Sequence, residues 1–256
     1  MPVLEVNALS KIYEGKISTI ALQGVSFRME RGEFVGVMGP SGSGKTTLLN
    51  VIATIDEPTS GRVAIDGREL HRMSEEEAAL FRRRELGFIF QHFNLLDTLT
   101  IEENIVLPLT LDGTPVREME NRSTAIAGKL GIRELMKKYA FEVSGGEMQK
   151  TAIARAMIHR PSLILADEPT GNLDSKSSRE VMEAFSFLNQ EEQATIFMVT
   201  HDAVAASYCH RVIFIKDGRF YNEIYRGSNR QAFFQKIIDM LSLLGGDTYD
   251  LSTIRL

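Results

Sequence analysis

A single cysteine, Cys209, stands in the whole chain. That excludes an intrachain disulfide and a cysteine-built metal site, and leaves Cys209 as a small apolar residue near an expected strand. Long apolar runs are missing as well. Residues 34–38, 163–166 and 212–215 are apolar, and each falls far short of the ~20 residues that cross a bilayer. Met1-Pro2-Val3-Leu4-Glu5-Val6 has no basic region leading into an apolar stretch, so no signal peptide is expected. Work at a membrane would therefore need a partner to hold the chain there. Basic charge is not in excess: 29 Lys plus Arg against 34 Asp plus Glu gives a formal net charge of −5, which argues against a general nucleic-acid binder. There is no internal repeat and no low-complexity linker. What is present, over 256 residues, is 43% hydrophobic and 25% charged, an ordinary globular composition long enough to bury a full core as one α/β unit.

Leu4-Glu5-Val6 reads as an opening strand, and residues 24–29 alternate as a half-buried strand does. Residues 34–38 form a more apolar strand, followed by a glycine-rich turn and an expected helix over 46–53. Residues 62–65, ahead of Asp66-Gly67, read as a strand entering a turn. The middle is helical in character. Ser74 with Glu77 and Thr100 with Glu103 make capping-box patterns before apolar runs, and 117–130 and 132–139 favour helix. The last third alternates strand 163–166, helix 177–188, strand 195–199, helix 203–208 and strand 211–215, which implies a mostly parallel sheet. Phe233, Phe234, Ile237, Ile238, Leu241 and Leu244 recur at helical spacing, as in a helix docked on its own domain.

Gly39-Pro40-Ser41-Gly42-Ser43-Gly44-Lys45-Thr46 fits the phosphate-loop pattern GxxxxGK[ST] at every position. Glycines let the backbone wrap closely round phosphate oxygens with its amides turned inward, and the following helix adds its N-terminal partial charge. Lys45 can neutralise the outer phosphates and Thr46 can offer a hydroxyl to Mg²⁺. Thr47 continues the same first turn.

Residues 163–166 run into Asp167-Glu168, an apolar strand ending in two carboxylates. Side chains alternate along a strand, so the two acids are expected to point to different places. Asp167 suits the Mg²⁺ shell and Glu168 suits a general base. Upstream, Ser144-Gly145-Gly146-Glu147 is a capping box that opens a helix, and a helix start with a serine cap and two glycines is also an anion site.

A phosphate loop alone could belong to a GTPase, a kinase, a helicase or a motor. The discriminator is Val143-Ser144-Gly145-Gly146-Glu147 ahead of the acidic strand, which resembles the LSGGQ signature of the ABC ATPase family and departs from it at Val143 and Glu147. Lys150 stands where that family usually has Arg. Other positions match in order along the chain. Tyr13 falls where the family stacks an aromatic ring on adenine. Gln91 resembles the glutamine that joins Mg²⁺ and senses the transporter. Gly171-Asn172-Leu173-Asp174 resembles the loop that crosses between subunits, and His201 resembles the switch histidine.

The resemblance implies a P-loop NTPase, RecA-like α/β core with an antiparallel β subdomain and an inserted helical subdomain at about 92–160. On this reading 1–228 form the ATPase domain and 229–256 a C-terminal helical extension. It implies ATP and Mg²⁺ as cofactors, and a homodimer in which the signature of one subunit closes over the phosphate loop of another. It further implies an integral membrane permease as partner, which would place the chain at the cytoplasmic face of the bacterial membrane. Residues 93–100, Ala205-Ala206-Ser207-Tyr208-Cys209 with 212–218, and Phe233-Phe234-Gln235 resemble the subgroup serving antimicrobial-peptide detoxification and sensing, often with a sensor histidine kinase nearby. Sister subgroups that extract lipoproteins or export macrolides share much of the core, and an ABC ATPase that signals mechanically without transport would look nearly the same there.

Overall fold

The computed structural model describes residues 2–15 and 18–245. Two sheets carry the architecture. The first is antiparallel and built from β1 (Leu4–Tyr13), β2 (Thr19–Met29), β4 (Ser60–Ile65) and the short β5 (Arg68–Glu69), in the order β2-β1-β4-β5. The second has six strands. β6 (Leu86–Phe90), β7 (Leu163–Asp167), β8 (Ile196–Val199), β3 (Phe34–Met38) and β9 (Arg211–Lys216) are parallel neighbours in that order, and β10 (Arg219–Tyr225) adds antiparallel to β9 at the edge.

Every residue of β3 is buried, yet its side chains part into two cores by simple alternation. Val35 and Val37 pack with the antiparallel sheet and α1 (Lys45–Ile52), beside Leu163, Leu165, Phe197, Val199, Ile213 and Ile215. Phe34 and Met38 face the other way, with Ile164, Ala166, Ile196, Met198, Val212 and Phe214, into a core closed by helices. Those helices are α3 (Ile101–Leu111), α4 (Val116–Lys129), α5 (Gly145–Met157), α6 (Ser175–Glu191), α7 (Ala203–Ala206) and α8 (Arg230–Gly245), while α2 (Glu75–Glu85) leads into β6. Strands covered on both faces read as continuous apolar runs, and here they do. The result is an α/β P-loop NTPase fold with an antiparallel sheet beside it.

Three helix starts carry the capping box expected of them: Ser74 with Glu77, Thr100 with Glu103 and Ser144 with Glu147. Each cap contributes about 1 kcal/mol to its helix. In α8, Phe233, Ile237 and Leu244 are buried while Phe234, Ile238 and Leu241 pack half-buried against the same core, so the stripe docks on its own chain. Residues 246–256 of the expected extension lie outside the described residues.

Local propensity misleads at four places. The helical reading of 132–139 gives only a 3₁₀ turn at Arg133–Leu135. Tertiary pairing takes that backbone instead: Lys138 and Met136 carbonyls accept from the Ile101 and Glu102 amides, and Tyr139 bridges Thr100. The expected helix 203–208 stops at Ala206, where the Ser207, Tyr208 and Cys209 amides turn back on Ala203, Ala205 and Ala206. β6 and β10 were not anticipated. β6 is short and follows a charged helix, and β10 lies at the sheet edge with Arg219, Phe220, Tyr221 and Asn222 exposed, so neither shows a clean alternation.

Register decides where the site lies. β7 pairs with β8 so that Asp167 lies opposite Val199, β6 pairs with β7 so that Phe90 lies opposite Asp167, and β3 pairs with β8 so that Val37 lies opposite Val199. The residues after each strand therefore emerge along one carboxyl edge, where open α/β sheets bind ligands.

Candidate active site at the carboxyl edge of the sheet

β3 delivers the loop 39–44 directly into α1. Gly44 is the N-cap of α1 in left-handed backbone, φ 97°, and a Cβ there would lie 2.3 Å from the Ala21 carbonyl oxygen. A Cβ on Gly39 would lie 2.0 Å from the Ile215 carbonyl oxygen. The loop's path is thus open only to glycine at both ends. Lys45 Nζ curls back over the loop, donating to the carbonyls of Gly39 and Pro40 at 2.8 Å each and lying 3.5 Å from Ser43 Oγ. Burial pulls its pKa below the usual lysine value, and the nearby Glu168 and Asp167 carboxylates oppose that. Thr46 and Thr47 occupy the next two positions of α1, with Thr47 in contact with Tyr13.

β7 ends at Asp167, so pleat alternation stops one residue earlier than expected. Glu168 stands in left-handed backbone, φ 47°, with its amide donating to the Val199 carbonyl at 2.9 Å. Non-glycine residues hold such a conformation only where their surroundings enforce it, commonly at functional sites. The Asp167 carboxyl is pushed above its ordinary value, first by burial and then by the Glu168 charge, with Lys45 opposing. Glu168 is gripped by the loop after β8: His201 Nδ1 lies 2.9 Å from Oε1, and the His201 backbone amide donates to Oε2 at 3.2 Å. A carboxylate so held, with a lysine-filled anion cradle beside it, can accept a proton from water.

Gln91 follows β6 and lies across Gly171, where an added Cβ would meet Gln91 Nε2 at 2.8 Å. Asn172 clasps it. Gln91 Nε2 donates to Asn172 Oδ1 at 3.1 Å, and Asn172 Nδ2 donates to the Gln91 carbonyl at 3.1 Å and lies 2.9 Å from His92 Nδ1. The sequence places Asn172 only within the loop Gly171-Asn172-Leu173-Asp174, and its grip on Gln91 is a product of the fold, because an asparagine in a loop carries no local signal of its partner.

Tyr13 ends β1, partly exposed, with its hydroxyl donating to Asp56 Oδ2 at 2.6 Å and Lys11 Nζ 4.9 Å from its ring centre. Burial and the Asp56 carboxylate raise its pKa, while Thr47 and Lys11 work the other way.

The remaining expected residues gather elsewhere. The Glu147 carboxylate accepts from the Ser144 amide at 2.7 Å and its hydroxyl at 2.8 Å, which holds that carboxyl below the usual glutamate value. Asp174 caps α6, accepting from the Lys176 and Ser177 amides at 2.9 and 3.0 Å and from Ser177 Oγ at 2.6 Å. Ser144, Gly146, Glu147 and Asp174 line one cleft of 420 Å³ that no residue of the loop 39–46 shares. Gly145 opens the same helix. One chain therefore presents two separate sets: Lys45, Thr46, Gln91, Asp167, Glu168 and His201 at the sheet edge, and Ser144 to Glu147 with Asp174 at the start of α5 and α6.

A protein-family model described as ABC transporter matches residues 22–171. The chain is 60% identical over 254 residues to the ABC transporter ATP-binding protein YxdL of Bacillus subtilis, covering 99% of each chain. It is 50% identical to the bacitracin export ATP-binding protein BceA of Halalkalibacterium halodurans, covering 96% of this chain and 98% of that one. Among solved structures, the ATP-binding cassette MJ0796, dimeric in a post-hydrolysis state with ADP and Pi, superposes with a TM-score of 0.79 at 37% identity over 88% of this chain and 99% of its own. With the phosphate loop, the acidic strand and the signature helix in one fold and in this order, the chain belongs to the ABC transporter family, as a BceA-type ATP-binding subunit that couples ATP hydrolysis to transport.

Proposed function

We propose that this chain hydrolyses Mg²⁺-bound ATP at the carboxyl edge of its sheet, as a homodimer with two composite sites. The observation that carries the reading is Glu168, fixed by His201 at 2.9 Å and close enough for its charge to act on Lys45 of the phosphate loop. ATP phosphates displace the Gly39 and Pro40 carbonyls from Lys45, the loop amides take the phosphate oxygens, and Tyr13 supplies a face for the base. Glu168 draws a proton from the attacking water while His201 keeps its carboxylate oriented. Ser144, Gly145 and Gly146 of a second copy cover the outer phosphate, with Asp174 shaping that contact. The dimeric cassette at 37% identity supports this arrangement.

Thr46, Asp167 and Gln91 fit a Mg²⁺ site. Asp167 is a half-buried carboxylate whose charge is undercompensated, and the donors are hard oxygens, as Mg²⁺ prefers. Mg²⁺ would neutralise charge developing on the substrate phosphates.

We further propose that the chain serves a permease handling antimicrobial peptides. On this reading it sits at the cytoplasmic face of the membrane, with a sensor histidine kinase as a neighbouring partner. The bacitracin-export relative at 50% identity favours this over lipoprotein release or macrolide export, whose ATPases are each 42% identical. Glu168→Gln tests the chemistry. It should lower turnover by ~10²–10⁴-fold and accumulate an ATP-bound dimer on a sizing column with ATP and Mg²⁺ but not with ADP. Turnover within a few-fold of wild type would remove Glu168 as the base. Peptide-stimulated ATPase of the chain reconstituted with its copurifying membrane protein tests the transport reading, and a response to macrolides in place of bacitracin would overturn it.

A further inference from the structure

α5 does more than present Ser144. Gln149, five residues along, is completely buried. Its Nε2 donates to the Phe90 carbonyl at 3.2 Å and to the Pro169 carbonyl at 2.6 Å. Phe90 immediately precedes Gln91, and Pro169 immediately follows Glu168. Both amide hydrogens of one side chain are thus spent on the two loops that carry the metal-side and base-side residues. Its Oε1, also buried, has no hydrogen-bond partner. Turning the amide over would set that oxygen against two carbonyl oxygens, so the orientation is forced. A methionine would fill the same volume and remove the orphaned Oε1, but it would leave the Pro169 carbonyl without its donor, so what glutamine adds beyond packing is the tie between the two loops.

Arg155 grips the first of those loops again, further out. Its Nη1 donates to the Asn94 carbonyl at 2.5 Å and its Nη2 to the Phe93 carbonyl at 2.9 Å. Phe93 and Asn94 stand in consecutive left-handed conformations, φ 61° and 49°. Two such residues in a row are held against their own preference, and the guanidinium fork is what spans their carbonyls.

We propose that Gln149 and Arg155 are positioning residues for ATP hydrolysis, tying the helix that starts at the signature to the Gln91 loop and the Glu168–Pro169 turn of the same subunit, so that movement of the signature and setting of the chain's own hydrolytic groups are one event. Neither touches the reacting atoms. The inference rests on the roles proposed above for Gln91 and Glu168.

The test measures steady-state ATPase, nucleotide affinity and amide exchange in Gln149→Met and Arg155→Lys, with Glu168→Gln as control. Lysine keeps the charge but cannot hold two carbonyls with a rigid fork. In Gln149→Met, kcat should fall about tenfold, less than the ~10²-fold that a 1 Å misplacement can cost. The KM for ATP should stay within about twofold, since ground-state binding is untouched. Amides of 91–95 and 168–172 should exchange faster while those of 39–46 stay as in wild type. Should Gln149→Met fail to fold, Arg155→Lys decides, with the same split expected at a smaller amplitude and faster exchange confined to 91–95. A wild-type kcat in the folded variants overturns the inference, and so does a parallel loss of ATP affinity and kcat, which would mean support of the fold only. If Glu168→Gln itself turns over normally, the reading beneath fails instead.

Discussion

The chain has two glycine-bearing helix starts, the phosphate loop entering α1 and the Ser144-Gly145-Gly146 turn entering α5, and they meet the same electrostatic problem in opposite ways. α1 begins on Gly44 with no side-chain cap and no acid in its first turn. The Lys45 ammonium bonds the Gly39 and Pro40 carbonyls of the loop before it. α5 begins on Ser144 with a complete capping box, and its own Glu147 carboxylate sits where an anion is favoured. The first helix start has no acid of its own at its amides, whereas the second is capped by Glu147. On the composite-site reading proposed above, a phosphate brought to α5 by a second copy would compete with Glu147.

Breaking the first half should have the largest effect. Lys45→Ala removes the one fixed positive charge of the loop, and ATP affinity should fall by about 100-fold, the scale of a charge-assisted hydrogen bond with its Coulomb share. Fluorescent-nucleotide titration of the folded variant measures it, and unchanged affinity would end the assignment. Breaking the second half should spare binding. Ser144→Arg should bind ATP at its own loop with near wild-type affinity while homodimer hydrolysis drops to background, read by phosphate release. Normal hydrolysis by a monomeric Ser144→Arg protein would show that the two sets in one chain suffice.

Smaller changes sharpen the contrast. Glu147→Gln keeps a cap but removes the competing charge, so half-maximal hydrolysis should need about threefold less ATP, in line with the few tenths to 1 kcal/mol of a charge at a helix end. A rise in the ATP requirement would mean that the carboxylate helps the contact. The smallest effects are on stability, and their signs are opposite. The Glu147 pKa is lowered by the Ser144 amide and hydroxyl. Its stabilisation is therefore present above the ordinary glutamate value and lost as pH falls through the lowered one. Glu147→Gln should melt lower than wild type at neutral pH, with the gap closing in acid. The Asp167 pKa is raised, chiefly by burial. Its folded state favours the proton, so its ionised form costs stability once pH rises past the raised value. Asp167→Asn without nucleotide should melt higher at neutral pH, by about 2 °C given the carboxylate's partial exposure, and the gain should vanish in acid. Thermal melts from pH 4 to 8 would show whether the two variants diverge in this way.

What could be read from the sequence was whatever neighbouring residues impose on one another. The phosphate loop is legible from the fixed spacing of its glycines, lysine and threonine, although the carbonyls that exclude a side chain at Gly39 and Gly44 belong to Ile215 and Ala21, far off in sequence. Three capping boxes are contacts over three residues. Two-sided burial of the sheet is written in its apolar runs, and the docking face of α8 in its helical spacing. What the tertiary structure alone decided was set by pairings across long stretches of chain. Parallel register brought Gln91, Asp167, Glu168 and His201, spread over more than a hundred residues, to one edge with the phosphate loop. Competition for backbone hydrogen bonds turned 132–139 from helix to a 3₁₀ turn and a bridge. The contacts of Asn172, Gln149 and Arg155 are not legible in the sequence because their partners are backbone and amide groups far off in the chain, and such groups leave no mark on the residue types around them. A backbone carbonyl belongs to every residue alike, and only the folded chain determines which one a buried side chain will meet.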